Sequence, residues 1–204
     1  MADNRADALL FDLGRVVIDI DFNRAVARWA AHAGCDRALI ETRFAHDAAY
    51  QRHERGEIDA DQYFAHLRSS LDIDISNAQL LDGWNAIFIG EMPGISGLLA
   101  RAARHRPLYA FTNSNRAHER HWSKHFADVL SHFEEVYVSS TIGLRKPDAE
   151  AFDHVVDRIG APAERIMFFD DVLENVEGAR ARRLQAVHVR SMEDVENALA
   201  ALAP

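Results

Sequence analysis

The sequence predicts an α/β fold in which a parallel sheet lies between helices, with an all-helical subdomain inserted after the first strand. Short apolar runs recur, each closed by small, polar or charged residues: Ala8 to Leu13, Leu108 to Phe111, Val136 to Ser139, Ile166 to Phe169 and Ala186 to Val189. The runs do not alternate, as suits strands buried on both faces of a parallel sheet, and segments of helical period separate most of them. The exception is Asp21 to Met92, where helix follows helix without a convincing strand.

Taken in order, the first run leads directly into that helical stretch. Phe22, Ala25, Val26, Trp29, Ala30 and Ala33 form one stripe at the spacing of a helix face. Asp59-x-x-Gln62 and Ser76-x-x-Gln79 have the form of capping boxes. The first leads into Tyr63, Phe64 and Leu67, the second into Leu80, Trp84, Ile87 and Phe88. Pro93-Gly94 marks the return to the α/β part. The expected division is therefore a core of residues 1–20 and 93–204 and a helical subdomain of residues 21–92. Further on, Phe152, Val155, Val156 and Ile159 make a buried helix face that stops at Gly160, with Pro162 soon after. Ser191 caps a last helix through Val195, Leu199 and Leu202.

The 204 residues, 48% hydrophobic and 27% charged, are enough for one core with a modest insertion. A net charge of −9 without a basic block repels nucleic acid and anionic membranes, leaving small molecules as the expected partners. A single cysteine, Cys35, excludes an intrachain disulfide and Cys-rich zinc sites, and reads as a small, partly buried side chain. Met1-Ala-Asp-Asn-Arg lacks the features of a signal peptide and no uncharged stretch has the length of a membrane span, so a cytoplasmic protein is expected. Oligomeric state is not written in these features.

Functional groups of an open parallel sheet collect past the C-terminal ends of its strands. Asp12 stands after the first run, Thr112-Asn113 after the second, Lys146-Pro147 downstream of the third and Asp170-Asp171 after the fourth. Each alone has an ordinary explanation as a helix cap or a solvated turn. Together they place polar groups in order at the ends of four strands, which independent accidents rarely do. Three carboxylates in one crevice repel each other by about 4 kcal/mol per close pair at an effective dielectric near 20. Such a site needs a cation, and an all-oxygen ligand set favours Mg²⁺ over zinc. Lys146 supplies a further positive charge, the Thr112 hydroxyl and Asn113 amide supply neutral donors to a phosphoryl group, and one carboxylate can be a nucleophile.

In Phe11-Asp12-Leu13-Gly14, Phe111-Thr112-Asn113-Ser114-Asn115, Gly143-Leu144-Arg145-Lys146-Pro147 and Phe168-Phe169-Asp170-Asp171, followed by Asn175 and Gly178-Ala179, the chain resembles the haloacid dehalogenase superfamily. The resemblance implies a Rossmann-like core, the inserted helices as a cap that closes over the crevice, and phosphoryl transfer to Asp12. It also implies Mg²⁺ held by Asp12, the main-chain carbonyl of Gly14, Asp170 and Asp171. Residues 11–24 and His53-Glu54-Arg55-Gly56-Glu57-Ile58 are further similar to the bacterial alpha-D-glucose-1-phosphate phosphatases. That likeness implies a sugar phosphate as substrate.

Two positions depart from the pattern. The superfamily usually has a second Asp, which protonates the leaving group, where this chain has Gly14. General acid catalysis is typically worth about 10² to 10⁴ in rate, so a leaving group that needs little help, such as a sugar anomeric oxygen, is expected. His53 and Glu54 are candidates to replace the acid, beside the ordinary reading of structural cap residues. Arg15 replaces a smaller amide residue and is open to two readings, a substrate contact or a solvent-facing side chain. His118, His121 and His125 have helical spacing but do not match His-Glu-x-x-His, and read as a surface helix.

Two rivals share these residues. A 2-haloacid dehalogenase would use the same Asp12 on carbon and needs no acid, but the Asp170-Asp171 pair opposes it, because two uncompensated acids beside a carboxylate substrate are unfavourable. A non-catalytic regulator that binds a phosphorylated ligand is supported by Gly14 and opposed by retention of Asp12, Thr112, Lys146 and the Asp pair. A phosphomutase would require the missing acid.

Overall fold

A computed structural model describes residues 5–202. Its centre is a five-stranded, wholly parallel sheet in the order β5-β4-β1-β6-β7. The strands are β1 (Ala8–Phe11), β4 (Leu108–Thr112), β5 (Glu135–Val138), β6 (Ile166–Asp170) and β7 (Gln185–His188). These are the five apolar runs of the sequence, with their ends moved by one or two residues. Burial explains them: β1 and β6 are enclosed along their whole length, on both faces. Leu9, Phe11, Met167 and Phe169 pack into one layer with Ile95, Leu99, Val129 and Val195. Leu10, Phe111 and Phe168 pack into the other with Phe152, Val155 and Ala179. The sheet is thus covered by α6 (Ile95–Ala102) and α12 (Met192–Ala201) on one side and by α10 (Ala149–Ile159) and α11 (Leu173–Ala181) on the other.

Register aligns the functional ends. Phe11 lies opposite Phe169 and Ala110, and Thr112 lies opposite Val138. Asp12, Thr112 and Asp170 consequently end neighbouring strands at one level, and Asp12 N donates to Phe169 O at 2.8 Å.

Between β1 and α6 the chain forms α1 (Phe22–Ala33), α2 (Arg37–Arg43), α3 (Ala48–Glu54), α4 (Ala60–Leu71) and α5 (Asn77–Asn85). Both expected capping boxes are present, with Asp59 and Ser76 accepting from the main-chain N–H of Gln62 and Gln79. These helices have a core of their own, in which Trp29, Tyr63, Leu67, Leu80 and Trp84 are buried. Gly83 allows its closest approach: a Cβ there would stand 2.2 Å from Trp29 Nε1, which donates to Leu80 O at 3.0 Å.

The expectation of helices alone in this stretch needs one correction. Phe88–Glu91 is a strand, β3, paired antiparallel with β2 (Ile18–Ile20). Phe88 belongs to this ribbon and not to the helix stripe, since α5 ends at Asn85 and the chain must return beside its point of departure. Gly94 (φ 80°) then starts α6 and Gly160 (φ 74°) ends α10, as their sequence positions suggested. Cys35 is free and half-buried. Residues 1–4, on which the expectation of no signal peptide rests, lie outside the described residues. No helix among the described residues is long and apolar enough to cross a membrane.

Candidate active site

Lys146 gathers the strand ends. It is 1% exposed, and its Nζ donates to Asp12 Oδ1, Asp170 Oδ2 and Phe111 O, each at 2.7 Å. Its ammonium also lies 5.2 Å from the ring centroids of Phe111 and Phe168. The loop that brings it there, after α9 (Ser139–Ile142), is fixed by Asn113. Asn113 Nδ2 donates to Lys146 O at 2.8 Å and its Oδ1 accepts from Lys146 N at 2.9 Å. The Asn113 amide, expected to face a phosphoryl group, is therefore engaged in holding Lys146. Thr112, 6% exposed, lines the crevice.

Asp170 is fully buried and saturated with donors. Its Oδ1 accepts from Val172 N at 2.8 Å, and Asn175 Nδ2 lies 3.1 Å from both of its oxygens. Asp171 instead lines the crevice, 3.9 Å from the Arg15 guanidinium. Burial pushes the Asp12 carboxyl up to about 7, because the Lys146 charge that lowers it is opposed by Asp170 and Asp171. Burial and the adjacent Asp170 also raise Asp171. Burial by itself would lower Lys146, but the Asp12 and Asp170 carboxylates outweigh it and hold the ammonium charged.

One buried ammonium among three acids leaves negative charge uncompensated. No group of three or more His, Cys, Asp or Glu side chains among the described residues is arranged to hold a metal by itself. Magnesium does not require such a cage, since it commonly takes one or two carboxylates and completes its shell with phosphate oxygens and water. The oxygen-only donors of Asp12, Asp171 and the Gly14 carbonyl fit that requirement, with Asp170 as the member most occupied by protein donors.

The other expected residues separate. Arg15 takes a left-handed conformation (φ 59°) and its side chain is 59% exposed. Glu54 lines the crevice, but His53 does not. His53 is buried within the inserted helices, stacked on Tyr63 and with Nδ1 donating to Ile58 O at 3.1 Å. It is therefore not among the side chains that line the crevice. Glu54 Oε2 accepts from Arg145 Nε and Nη2 at 3.0 and 2.9 Å, and the carboxylate also accepts from the Tyr50 hydroxyl. Burial pushes the Glu54 carboxyl above the usual carboxylate range, and the Arg145 guanidinium opposes that rise.

His118 corrects the surface-helix reading of the three histidines on α7 (Arg116–His125). It is 5% exposed and stacked on Trp84, its Nε2 donating to Trp84 O at 2.9 Å and its Nδ1 accepting from Asn115 at 3.2 Å. Burial lowers it to about 3. The reason is tertiary: α5 packs against α7 and its Trp84 covers His118, while Trp122 of α7 packs into the core of the sheet. The spacing of His118 and Trp122 was the available sequence signal.

The crevice above Asp12 measures about 430 Å³. One wall is apolar, formed by Ile18, Ile20, Phe22, Ile87 and Phe88. His46 stacks on Tyr50 at 4.3 Å and meets the edge of Phe22 at 4.8 Å. Burial, with Arg145 and Arg15 nearby, lowers His46 and keeps it neutral. Gln51, Glu54 and Arg145 also line the crevice and supply polar groups to it. Sequence reasoning missed His46, Tyr50 and Gln51, which lie in and after a loop without periodicity.

Residues 6–181 match the family described as haloacid dehalogenase-like hydrolase. The chain belongs to that family. It is 23% identical over 177 residues to a D-ribitol-5-phosphate phosphatase of Bacteroides thetaiotaomicron, spanning 82% of this chain and 84% of that protein. It is 34% identical over 73 residues to a drimenol cyclase of Aspergillus calidoustus, where the match spans 36% of this chain and only 14% of the cyclase. Its fold superposes on a HAD family enzyme of Bacteroides thetaiotaomicron, solved with magnesium and inorganic phosphate, with a TM-score of 0.77 and 23% identity. That superposition covers 89% of this chain and 92% of the other.

Proposed function

We propose that this protein is a magnesium-dependent phosphatase that cleaves a small phosphate monoester, a sugar phosphate such as alpha-D-glucose 1-phosphate, through an aspartyl-phosphate on Asp12. The observation that carries the reading is the buried triad of Asp12, Lys146 and Asp170, joined by 2.7 Å hydrogen bonds and opening, through Asp12, into the crevice. Residues 21–92 act as the cap over a core of residues 1–20 and 93–204.

An Asp12 oxygen attacks phosphorus and the bond to the leaving oxygen breaks, that oxygen taking its proton from water in the absence of an acid at Gly14. Water then attacks the acyl phosphate, releasing inorganic phosphate and restoring the carboxylate. Lys146 and the Thr112 hydroxyl stabilise the charge on the phosphoryl oxygens, while Asn113 positions Lys146. Mg²⁺, held by Asp12, the Gly14 carbonyl, Asp171 and Asp170, would neutralise the acids and the phosphate together.

The walls support a sugar or sugar alcohol. Phe22, His46 and Tyr50 offer a face for C–H groups, and Gln51, Glu54 and Arg145 offer partners for hydroxyls. A long alkyl leaving group would bury the latter without partners. The similarity to a D-ribitol-5-phosphate phosphatase supports the same class. The single cysteine and net charge of −9 fit work in the cytoplasm.

The test is a magnesium-dependent screen containing glucose 1-phosphate, ribitol 5-phosphate and a long-chain alkyl phosphate, with Asp12→Asn and 2-chloropropionate as controls. Metal-dependent phosphate release from the sugar esters, absent in Asp12→Asn, is expected. Halide release without metal would establish the dehalogenase instead, and ligand binding without any turnover would establish the regulator.

A further inference from the structure

We propose that residues 54–56 and 140–148 form a clasp that docks the inserted helices onto the loop carrying Lys146, with Arg145 as the positioning residue at its centre. The proposal rests on the reading of the crevice as a phosphoryl-transfer site. Three consecutive residues at the end of α3 meet this loop. Glu54 Oε2 accepts from Arg145 Nε at 3.0 Å and Nη2 at 2.9 Å. Arg55 Nη2 donates to Asp148 Oδ2 at 3.2 Å. At Gly56 (φ 70°) a Cβ would stand 2.4 Å from the Ser140 carbonyl oxygen, so backbone meets backbone there.

Burial separates this junction from ordinary surface pairing. The Arg55–Asp148 pair, with side chains 27% and 48% exposed, is of the kind that contributes little alone. The Glu54 side chain is 4% exposed and that of Arg145 18%. Small displacements of the cap would strand the Glu54 carboxylate without its cation and without water. Docked, both charges are satisfied; fully opened, both are hydrated; positions between are penalised. Arg145 is also the neighbour of Lys146, whose main chain is gripped by Asn113 and whose ammonium spans Asp12 and Asp170. Docking therefore fixes the lysine loop and shuts that side of the crevice while Asp12 carries the phosphoryl group. The clasp thereby governs the acceptor: water already inside takes the phosphoryl group, and larger hydroxyl compounds in solvent are kept out.

Gly56→Ala, Arg55→Asp, Asp148→Arg and the Arg55→Asp/Asp148→Arg double variant test this, since none of these residues lines the crevice. Hydrogen exchange of peptides covering residues 53–58 and 139–146 reads docking directly. The ratio of glycerol phosphate to inorganic phosphate formed from p-nitrophenyl phosphate with Mg²⁺ and glycerol reads the acceptor. Gly56→Ala is expected to raise exchange in both peptides roughly tenfold and to raise the glycerol phosphate fraction several-fold. Each single charge variant should move both readouts in the same direction by less, and the double variant should return them towards wild type. Unchanged exchange in all variants overturns the clasp, and raised exchange with an unchanged product ratio overturns its control of the acceptor. If Gly56→Ala does not fold, the charge swap decides. Wild-type protein inert towards p-nitrophenyl phosphate would sink the phosphatase reading and the control of the acceptor with it, while exchange would still decide the docking.

Discussion

Installing an acid at Gly14 probes the least ordinary feature of the site. A Cβ at Gly14 would lie 2.9 Å from Ile20 Cδ1 and 3.7 Å from Asp12 Oδ2, so the only close obstacle is the end of a flexible side chain. Turning Ile20 off its rotamer costs about 0.5–1.5 kcal/mol, which the fold can absorb. The new carboxyl would sit beside Asp12, and two unit charges about 4 Å apart repel by about 4 kcal/mol at an effective dielectric of 20. That repulsion raises the newcomer's pKa and keeps it protonated, the state a general acid needs. Gly14→Asp should therefore raise kcat/KM for alkyl phosphates by up to about 10² to 10⁴, and by far less for sugar 1-phosphates and aryl phosphates. Adding Ile20→Val removes the obstructing methyl and should recover the lost stability. The assay is kcat/KM across phosphates graded by leaving-group pKa, whose dependence should flatten in the variant. A parallel displacement of the whole series, with its slope unchanged, would refute the account of the missing acid.

Asp12→Asn should reduce phosphate release to background while leaving the fold intact by circular dichroism, since the amide can still accept from Lys146. For His118 the folded value of about 3 lies below the unfolded value near 6.5, so the unfolded chain binds the extra proton between them. Its contribution to stability is complete above the unfolded value and is lost as pH falls, by about 2 kcal/mol at pH 5. Urea unfolding at pH 7.5 and pH 5 should show His118→Gln losing about that much less than wild type; equal losses would contradict the burial of the ring. Gly83→Ala, which drives a methyl into Trp29, should cost about 1–3 kcal/mol in the same assay, and a neutral result would mean that α1 and α5 do not pack so closely. Omitting Mg²⁺ should abolish turnover of every ester, and readdition should restore it.

Much of the architecture was legible because parallel strands buried on both faces are nearly continuous apolar runs. Each of the five runs became a strand of the sheet. Both capping boxes formed, because their hydrogen bonds link residues three apart and need no distant partner. The strand Phe88–Glu91 was not legible, since its pairing with Ile18–Ile20 spans some seventy residues and leaves no local period.

The same distinction runs through the site. The sequence by itself determined which residues end the strands: Asp12, Thr112 and Asp170 follow apolar runs of fixed position, and a parallel sheet sends all such ends to one edge. Only the tertiary structure decided how the remaining residues are used. It turned the Asn113 amide onto the Lys146 main chain, buried His53 against Tyr63, set Glu54 against Arg145 and covered His118 with Trp84. Strand ends are fixed by backbone register, which local pattern encodes. The direction and protonation of a side chain are fixed by what packs over it, and here the packing partners lie 10 to about 90 residues away in the chain.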